Sequence, residues 1–382
     1  MRTGAPRRGS VPTEMTEACA SLIRDPLLRL KFLRRARIVP PEPGRRTGWP
    51  GTALAGLAFL IAAGISAPIL IPRAARESRP APAPAARPPS PTGPSATVAK
   101  VWLVEQPPDS EPYSNGLRIE RQFEVAGQPR RYRAFARAVA DGSRWFWRSE
   151  PAGIVFHSSE SDILPFEPGQ NRKLVEHGRG LLAYARERAA YHFIIDRFGR
   201  VHSVVQETAK ADHAGHSIWA DAEWIYVNLN ASFLAICFEA QTRPGGGFSP
   251  AQIHAGKVLV EMLRSRYGIA EGNCVTHAQV SVNPRNFYVG YHTDWATGFP
   301  FAEVGLPDNY ELLPPSLLLF GFEADSTYVN LSGAGLRKAV SLAEQQVQQA
   351  AEARHLPVSR YQEGLRKRYA AMVAAVGGAA AM

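Results

Sequence analysis

Gly153-Ile-Val-Phe-His157-Ser-Ser-Glu160 is a short apolar run that ends on a histidine, and Val275-Thr-His277-Ala-Gln-Val280 repeats the pattern more than a hundred residues later. The second stretch continues to Gly290-Tyr-His292-Thr-Asp294-Trp295, which adds a carboxylate. A histidine just after a strand-like run projects its imidazole from the end of a rigid sheet. Two such histidines and one carboxylate form an N, N, O donor set, the kind that holds a catalytic zinc with its fourth position left open.

Outward from these stretches, the spacing predicts an α/β domain. Asn171 to Ala189 carries Leu174, Leu181, Leu182 and Ala185 on one helical face. Tyr191-His-Phe-Ile-Ile195 reads as a strand, and Phe198-Gly199 turns it into Val201 to Val205. Ser232-Phe-Leu-Ala-Ile-Cys-Phe-Glu239 is apolar throughout, as a strand buried on both faces must be. Ser249-Pro250-Ala-Gln252 supplies an N-cap, a proline at the first helical position and a glutamine at N3, which opens a helix ending near Gly268. Ahead of this domain, Gly116 to Val125 and Arg131 to Ala136 alternate in twos around Ala126-Gly-Gln-Pro129 and read as a β-hairpin. Behind it, Gly335 to His355 and Ser359 to Val373 read as two helices that pack on the domain through Leu336, Val340, Ala343, Val347, Leu365, Tyr369 and Met372.

The charge is uneven. Residues 1–100 hold 16 Lys and Arg against 5 Asp and Glu, while residues 101–382 hold 28 against 29. The overall +10 therefore belongs to the N-terminal tail and does not argue for nucleic acid. Between Arg46 and Arg73 there is no charge, and Ala53 to Ile71 is apolar. Nineteen helical residues span about 28 Å, enough for one membrane crossing. A secretory signal peptide is the competing reading, but its n-region would be too long and Pro68 would follow the cut. The excess of Arg and Lys upstream places the N-terminus in the cytoplasm. Eight prolines between Pro72 and Ala99 make an extended tether. The expected order is a basic tail at 1–48, a membrane anchor at 49–72, a Pro/Ala-rich linker at 73–100, the hairpin extension at 101–150, the main domain at 151–305 and a helical extension at 306–382. Cys19 falls in the tail, while Cys237 and Cys274 read as buried free thiols.

Five features in one order, His157 after a strand, Tyr191-His-Phe-Ile-Ile-Asp-Arg-Phe-Gly199, His213-Ala-Gly215, Asn228-Leu-Asn230-Ala-Ser232, and His277 with Asp294, resemble the zinc N-acetylmuramoyl-L-alanine amidases and the related peptidoglycan recognition proteins. The likeness covers roughly residues 151–300. It implies a central mixed β-sheet flanked by helices. It also implies zinc (Zn2+) on His157, His277 and Asp294, with Tyr191 and His292 assisting catalysis and His213, Asn230 and Glu239 meeting the substrate. His292 stands where the family usually has a lysine, and Trp295-Ala296 replaces its common Pro-Gly. The separation of His277 and Asp294 is also longer than usual for the family, so His292 is a second candidate ligand, with Asp294 orienting it. Cys237 falls where some members carry a catalytic glutamate, and Glu239 lies two residues on. The expected activity is hydrolysis of the bond between N-acetylmuramic acid and L-alanine in peptidoglycan or muropeptides, by a single-pass protein of the bacterial inner membrane with a periplasmic catalytic domain. The alternative is a non-catalytic recognition module tethered to the membrane. His192 reads as a buried, hydrogen-bonded histidine, and His177, His202, His254 and His355 as structural or solvated.

Overall fold

Helical and strand periods along the chain resolve into a mixed α/β architecture in the computed structural model, which describes residues 99–139, 142–242 and 247–377. The expected tail, the span at 49–72 and nearly all of the linker lie outside the described residues. Among the described residues no helix is long and apolar enough to cross a membrane.

In chain order the strands of the two larger sheets are β1 (Ser110–Pro112), β2 (Arg118–Glu120), β3 (Tyr132–Ala136), β4 (Trp145–Arg148), β5 (Gly153–Ser158), β6 (Phe193–Ile195), β7 (Val201–Ser203), β8 (Ile218–Ala220), β9 (Trp224–Val227), β10 (Phe233–Phe238) and β11 (Cys274–Thr276). Seven of them form the main sheet, in the order β1-β2-β7-β6-β10-β5-β11. The β6, β10, β5 and β11 neighbours run parallel, whereas β6/β7 and β1/β2 are antiparallel, so the sheet is mixed as expected.

The central strand β10 shows why its sequence is uniformly apolar. Leu234, Ile236 and Phe238 face a core shared with Leu259, Met262 and Leu263 of a long helix. Ala235 and Cys237 face a second core with Leu182, Ala185 and Ile194. The second core is covered by α1 (Asn171–Arg188). A short turn of helix, α2 (Leu229–Ser232), leads into β10, and α3 (Pro250–Tyr267) covers the first core. The α3 N-terminus has the expected capping box of Ser249 and Gln252, and Gly268 closes it at φ +64°.

The N-terminal pair differs from expectation. β2 joins β1 and β7 in the main sheet, while β3 joins β4 and β9 in a separate antiparallel sheet of order β4-β3-β9-β8. The intervening segment does not turn back on itself. Val125 bridges Val205 and Pro129 bridges Ala209, so the chain is pinned along residues 205–209 and delivers β3 to another layer. Gly127 is required there, since a Cβ would stand 2.9 Å from that of Ala209.

Five α-helices complete the later part among the described residues: α4 (His277–Val280), α5 (Pro315–Phe320), α6 (Ser326–Leu331), α7 (Ala334–Glu352) and α8 (Val358–Gly377). Leu336, Val340, Ala343 and Val347 of α7 and Tyr369 and Met372 of α8 are buried, as their spacing predicts, and Leu365 is half-buried.

Candidate metal centre

His157 lies on β5 between Phe156, which is buried in the core, and Ser158, with its own side chain on the opposite face from Phe156. Gly153 starts this strand because a Cβ there would come within 2.1 Å of the Phe233 ring and 2.4 Å of the Asn273 carbonyl oxygen. β11 stops at Thr276, and His277 follows it directly as the first residue of α4, just after the strand as the sequence predicts. Gln279 turns back to accept the Thr276 N–H at 2.9 Å, which fixes that junction.

Asp294 arrives on a loop held at several points. Gly290, at φ +71°, donates its N–H to Ser281 O, and the His292 N–H reaches Ser281 Oγ at 2.9 Å. Ala278 donates to Asp294 O at 3.1 Å. Trp295 follows, stacked on Phe248 with ring centroids 4.4 Å apart, and its carbonyl accepts the Tyr310 hydroxyl. The bulky anchor therefore does the locating that a rigid Pro-Gly would otherwise do.

These elements bring the three expected residues together. Asp294 Oδ1 is 2.9 Å from His277 Nδ1, and Oδ2 is 3.3 Å from His157 Nδ1. One donor atom from each lies within 4.8 Å of the others. Four ligands on arms of about 2.0–2.1 Å around a tetrahedral ion stand roughly 3.3 Å apart, which the two Asp294–histidine spacings approach. The protonation states fit as well. Burial pulls the His277 imidazole down to about 4, and the neighbouring His277 and His157 hold the Asp294 carboxyl well below its usual range against its own burial. Near neutral pH the set is a neutral imidazole beside a carboxylate, as ligation requires. His277 Nε2 is buried without a hydrogen-bond partner, so the ring is held by its Nδ1 side and by packing.

The other expected residues divide into two groups. Tyr191, at φ +62°, places its ring 5.2 Å from His157. Its phenol lies beside Cys237 and Asp294, and burial raises it well above 10, so it stays protonated and can donate. His292 stacks on His277 with centroids 4.7 Å apart and planes at 20°, outside the three-donor cluster. His213 Nδ1 is 3.1 Å from His157 Nε2. With a metal on His157 Nδ1, the Nε2–H would donate to His213 and fix the tautomer.

Asn230 and Glu239 are placed differently. Asn230 Oδ1 accepts the N–H groups of His213, Ala214 and Gly215 at 3.0, 2.7 and 3.0 Å, and Nδ2 donates to Asp212. Its amide is wholly engaged in shaping the loop that carries His213. Glu239 is buried and accepts the Arg197 N–H at 3.1 Å, beside the turn after β6, away from the three donors. Burial raises its carboxyl to about 7.

His192 is buried, with Nδ1 accepting the Ala235 N–H and Nε2 3.1 Å from Ala209 O, a structural role as its position in the run suggested. The Cys237 thiol is pushed well up by burial, which disfavours a thiolate nucleophile. Both Cys237 and Cys274 are free and buried. The hydrogen bond from His157 to His213 was not foreseen. Neither was Glu160, which at φ +48° takes the Ser158 hydroxyl and both the N–H and the hydroxyl of Thr242 beside the cluster.

Among known proteins, the N-acetylmuramoyl-L-alanine amidase family model matches residues 147–294, from β4 to the last of the three donors. No curated protein sequence matches. Solved structures that are similar include AmpDh3 of Pseudomonas aeruginosa in complex with anhydromuramic pentapeptide (21% identity, 40% of this chain and 58% of that one, TM-score 0.29). AmiD of E. coli, in complex with anhydro-N-acetylmuramic acid-L-Ala-D-gamma-Glu-L-Lys, is 23% identical over 50% of this chain and 73% of that one, at TM-score 0.31. The amidase LysC of Clostridium intestinale is 19% identical over 49% and 93%, at TM-score 0.26. This chain thus spans little more than half the length of the Pseudomonas protein. Residues 147–294 are a domain of the N-acetylmuramoyl-L-alanine amidase family.

Proposed function

We propose that the chain hydrolyses the amide between N-acetylmuramic acid and L-alanine in peptidoglycan, with zinc held by His157, His277 and Asp294. The convergence of these three donors carries the reading, since a recognition module needs a cleft but no ligand set. When bound, the metal would supply a water of pKa near 7 and polarise the scissile carbonyl. Tyr191, kept protonated by burial, donates to the oxygen on which negative charge develops. His292, partly exposed beside His277, delivers a proton to the departing amine nitrogen. His213 holds His157 in the tautomer that leaves Nδ1 free for ligation, and Asn230 holds the His213 loop.

The apolar run at 53–71, with arginines concentrated ahead of it, supports an anchor in the bacterial inner membrane and a periplasmic catalytic domain. Protease added to intact spheroplasts should then remove the domain and spare the tail. The activity itself is tested by incubating the zinc-loaded protein with a soluble muropeptide. Free stem peptide and the peptide-free sugar should appear, and neither should appear with His157→Ala. Intact muropeptide as the only species, in protein shown to carry one zinc, would refute the proposal.

A further inference from the structure

Most of the β3–β4 pair precedes the family match, and its side chains take no part in the metal centre. Across the second sheet, arginines lie over aromatic rings. The guanidinium carbons of Arg131, Arg133 and Arg148 stand 4.2, 4.0 and 4.3 Å from the ring centroids of Trp147, Trp145 and Trp224, and that of Arg144 is 5.5 Å from Phe146. The register sorts these residues onto two faces, because directly paired residues share a side. On one face Trp145 packs against the core and Arg133 donates to Ala375 O of α8, so that face is largely covered.

The other face carries Tyr132, Phe146, Arg148, Trp224 and Tyr226. Its inner part is buried through Tyr132 and Tyr226, whereas its outer end is open, with Phe146 44% exposed and edge-on to Trp224 at 5.5 Å. That end borders a cleft of about 690 Å³ whose wall includes Tyr132, Arg148, Glu150, Asp221, Glu223 and Trp224. Among the described residues, Arg131, Arg144 and Arg148 have no carboxylate partner.

Aromatic rings beside hydroxyl, carboxylate and guanidinium groups are what a saccharide needs: its C–H faces pack on the rings and its hydroxyls take the polar groups. A lipid surface would be met by protruding apolar tips. Here the open end is bordered by Glu150, Asp221 and Glu223, whose carboxylates an anionic bilayer would repel. We infer that the Phe146–Arg148–Trp224 face binds a glycan strand, at a site separate from the metal centre. The inference rests on the proposed wall substrate and deepens it, because a second glycan contact selects polymer over short fragments.

The test uses the full chain stripped of metal, so that hydrolysis plays no part, sedimented with purified insoluble peptidoglycan. Arg148→Glu and Phe146→Ala, both at exposed positions, are compared with the parent after thermal melts confirm folding. Each should raise the concentration for half-retention roughly tenfold. The zinc-loaded variants should still release stem peptide from a short soluble muropeptide at the parent rate. Unchanged retention in both variants overturns the inference. So does a matching loss of binding to phosphatidylglycerol vesicles, or of self-association, which would assign the face to lipid or to a second copy. If the parent cleaves nothing but the variants lose retention, the amidase reading fails and the glycan site stands.

Discussion

Replacing Asn230 by alanine separates loop organisation from substrate contact. The side-chain oxygen collects three backbone N–H groups from consecutive residues, 213 to 215, and the amide nitrogen ties Asp212. Each such bond contributes about 1 kcal/mol net, and Gly215 and Asp212 are exposed enough for water to recover part of the loss. Asn230→Ala should therefore cost about 2–3 kcal/mol, or roughly 5–10 °C in Tm for a domain of this size. Because the freed loop carries His213, the hydrogen bond that holds His157 is lost as well, and zinc affinity should fall on the order of tenfold. Asn230→Asp keeps the acceptor for all three N–H groups but sets a carboxylate against Asp212, so it should be the milder change. Thermal melts of the zinc-free protein, with a competitive chelator titration of the loaded one, measure both quantities. A melting change under about 1 °C for Asn230→Ala, or a larger one for Asn230→Asp, would refute the loop-organising role.

Glu239 makes stability depend on pH. Its folded-state value of about 7 exceeds the ordinary 4.5, so the native protein binds the extra proton between these values. Its contribution is then lost as pH rises from 4.5 to about 7, by about 3 kcal/mol at roughly 1.4 kcal/mol per pH unit. Glu239→Gln, which still accepts the Arg197 N–H, should match the parent near pH 4.5 and exceed it at pH 8 in denaturant midpoints; equal midpoints at pH 8 would contradict this. Tyr191→Phe should lower kcat on a soluble muropeptide by about a hundredfold with little change in KM. A change confined to KM would place the phenol outside the transition state. Removing zinc with a chelator should abolish stem-peptide release, and restoring it should recover the activity at one zinc per chain. Gly290→Ala should destabilise by about 3–5 kcal/mol in thermal melts, since φ is +71° and the new Cβ would stand 2.1 Å from the Tyr328 ring.

Local patterns in the chain were enough to foretell the elements that are locally determined. The apolar run of β10 and the capping box of α3 depend only on neighbours in sequence, and both stand where the spacing placed them. The three donors were legible for the same reason: each follows or sits within a segment whose course is set nearby. What required tertiary structure was pairing. Strands β2 and β3 alternate like the arms of a hairpin, yet each finds its partners elsewhere, because the segment between them is bound along residues 205–209. Strands β8 and β9 and the last residues of β4 carry no signal strong enough to separate them from loop. The roles of Asn230 and Glu239 likewise turned on contacts across the fold.

By itself, then, the sequence determined the mixed α/β class, the two histidines of the site with Asp294 and His292 as alternatives for the third donor, and the helices that close the chain, because periodicity, capping and residue chemistry are properties of short segments. Only the tertiary structure decided that His213 braces His157, that Asn230 serves the loop and that arginines cover the tryptophans of a second sheet. Those contacts join residues that are not neighbours in the chain, 17 positions apart for Asn230 and His213 and 56 for His157 and His213, and such separation leaves no trace in local spacing.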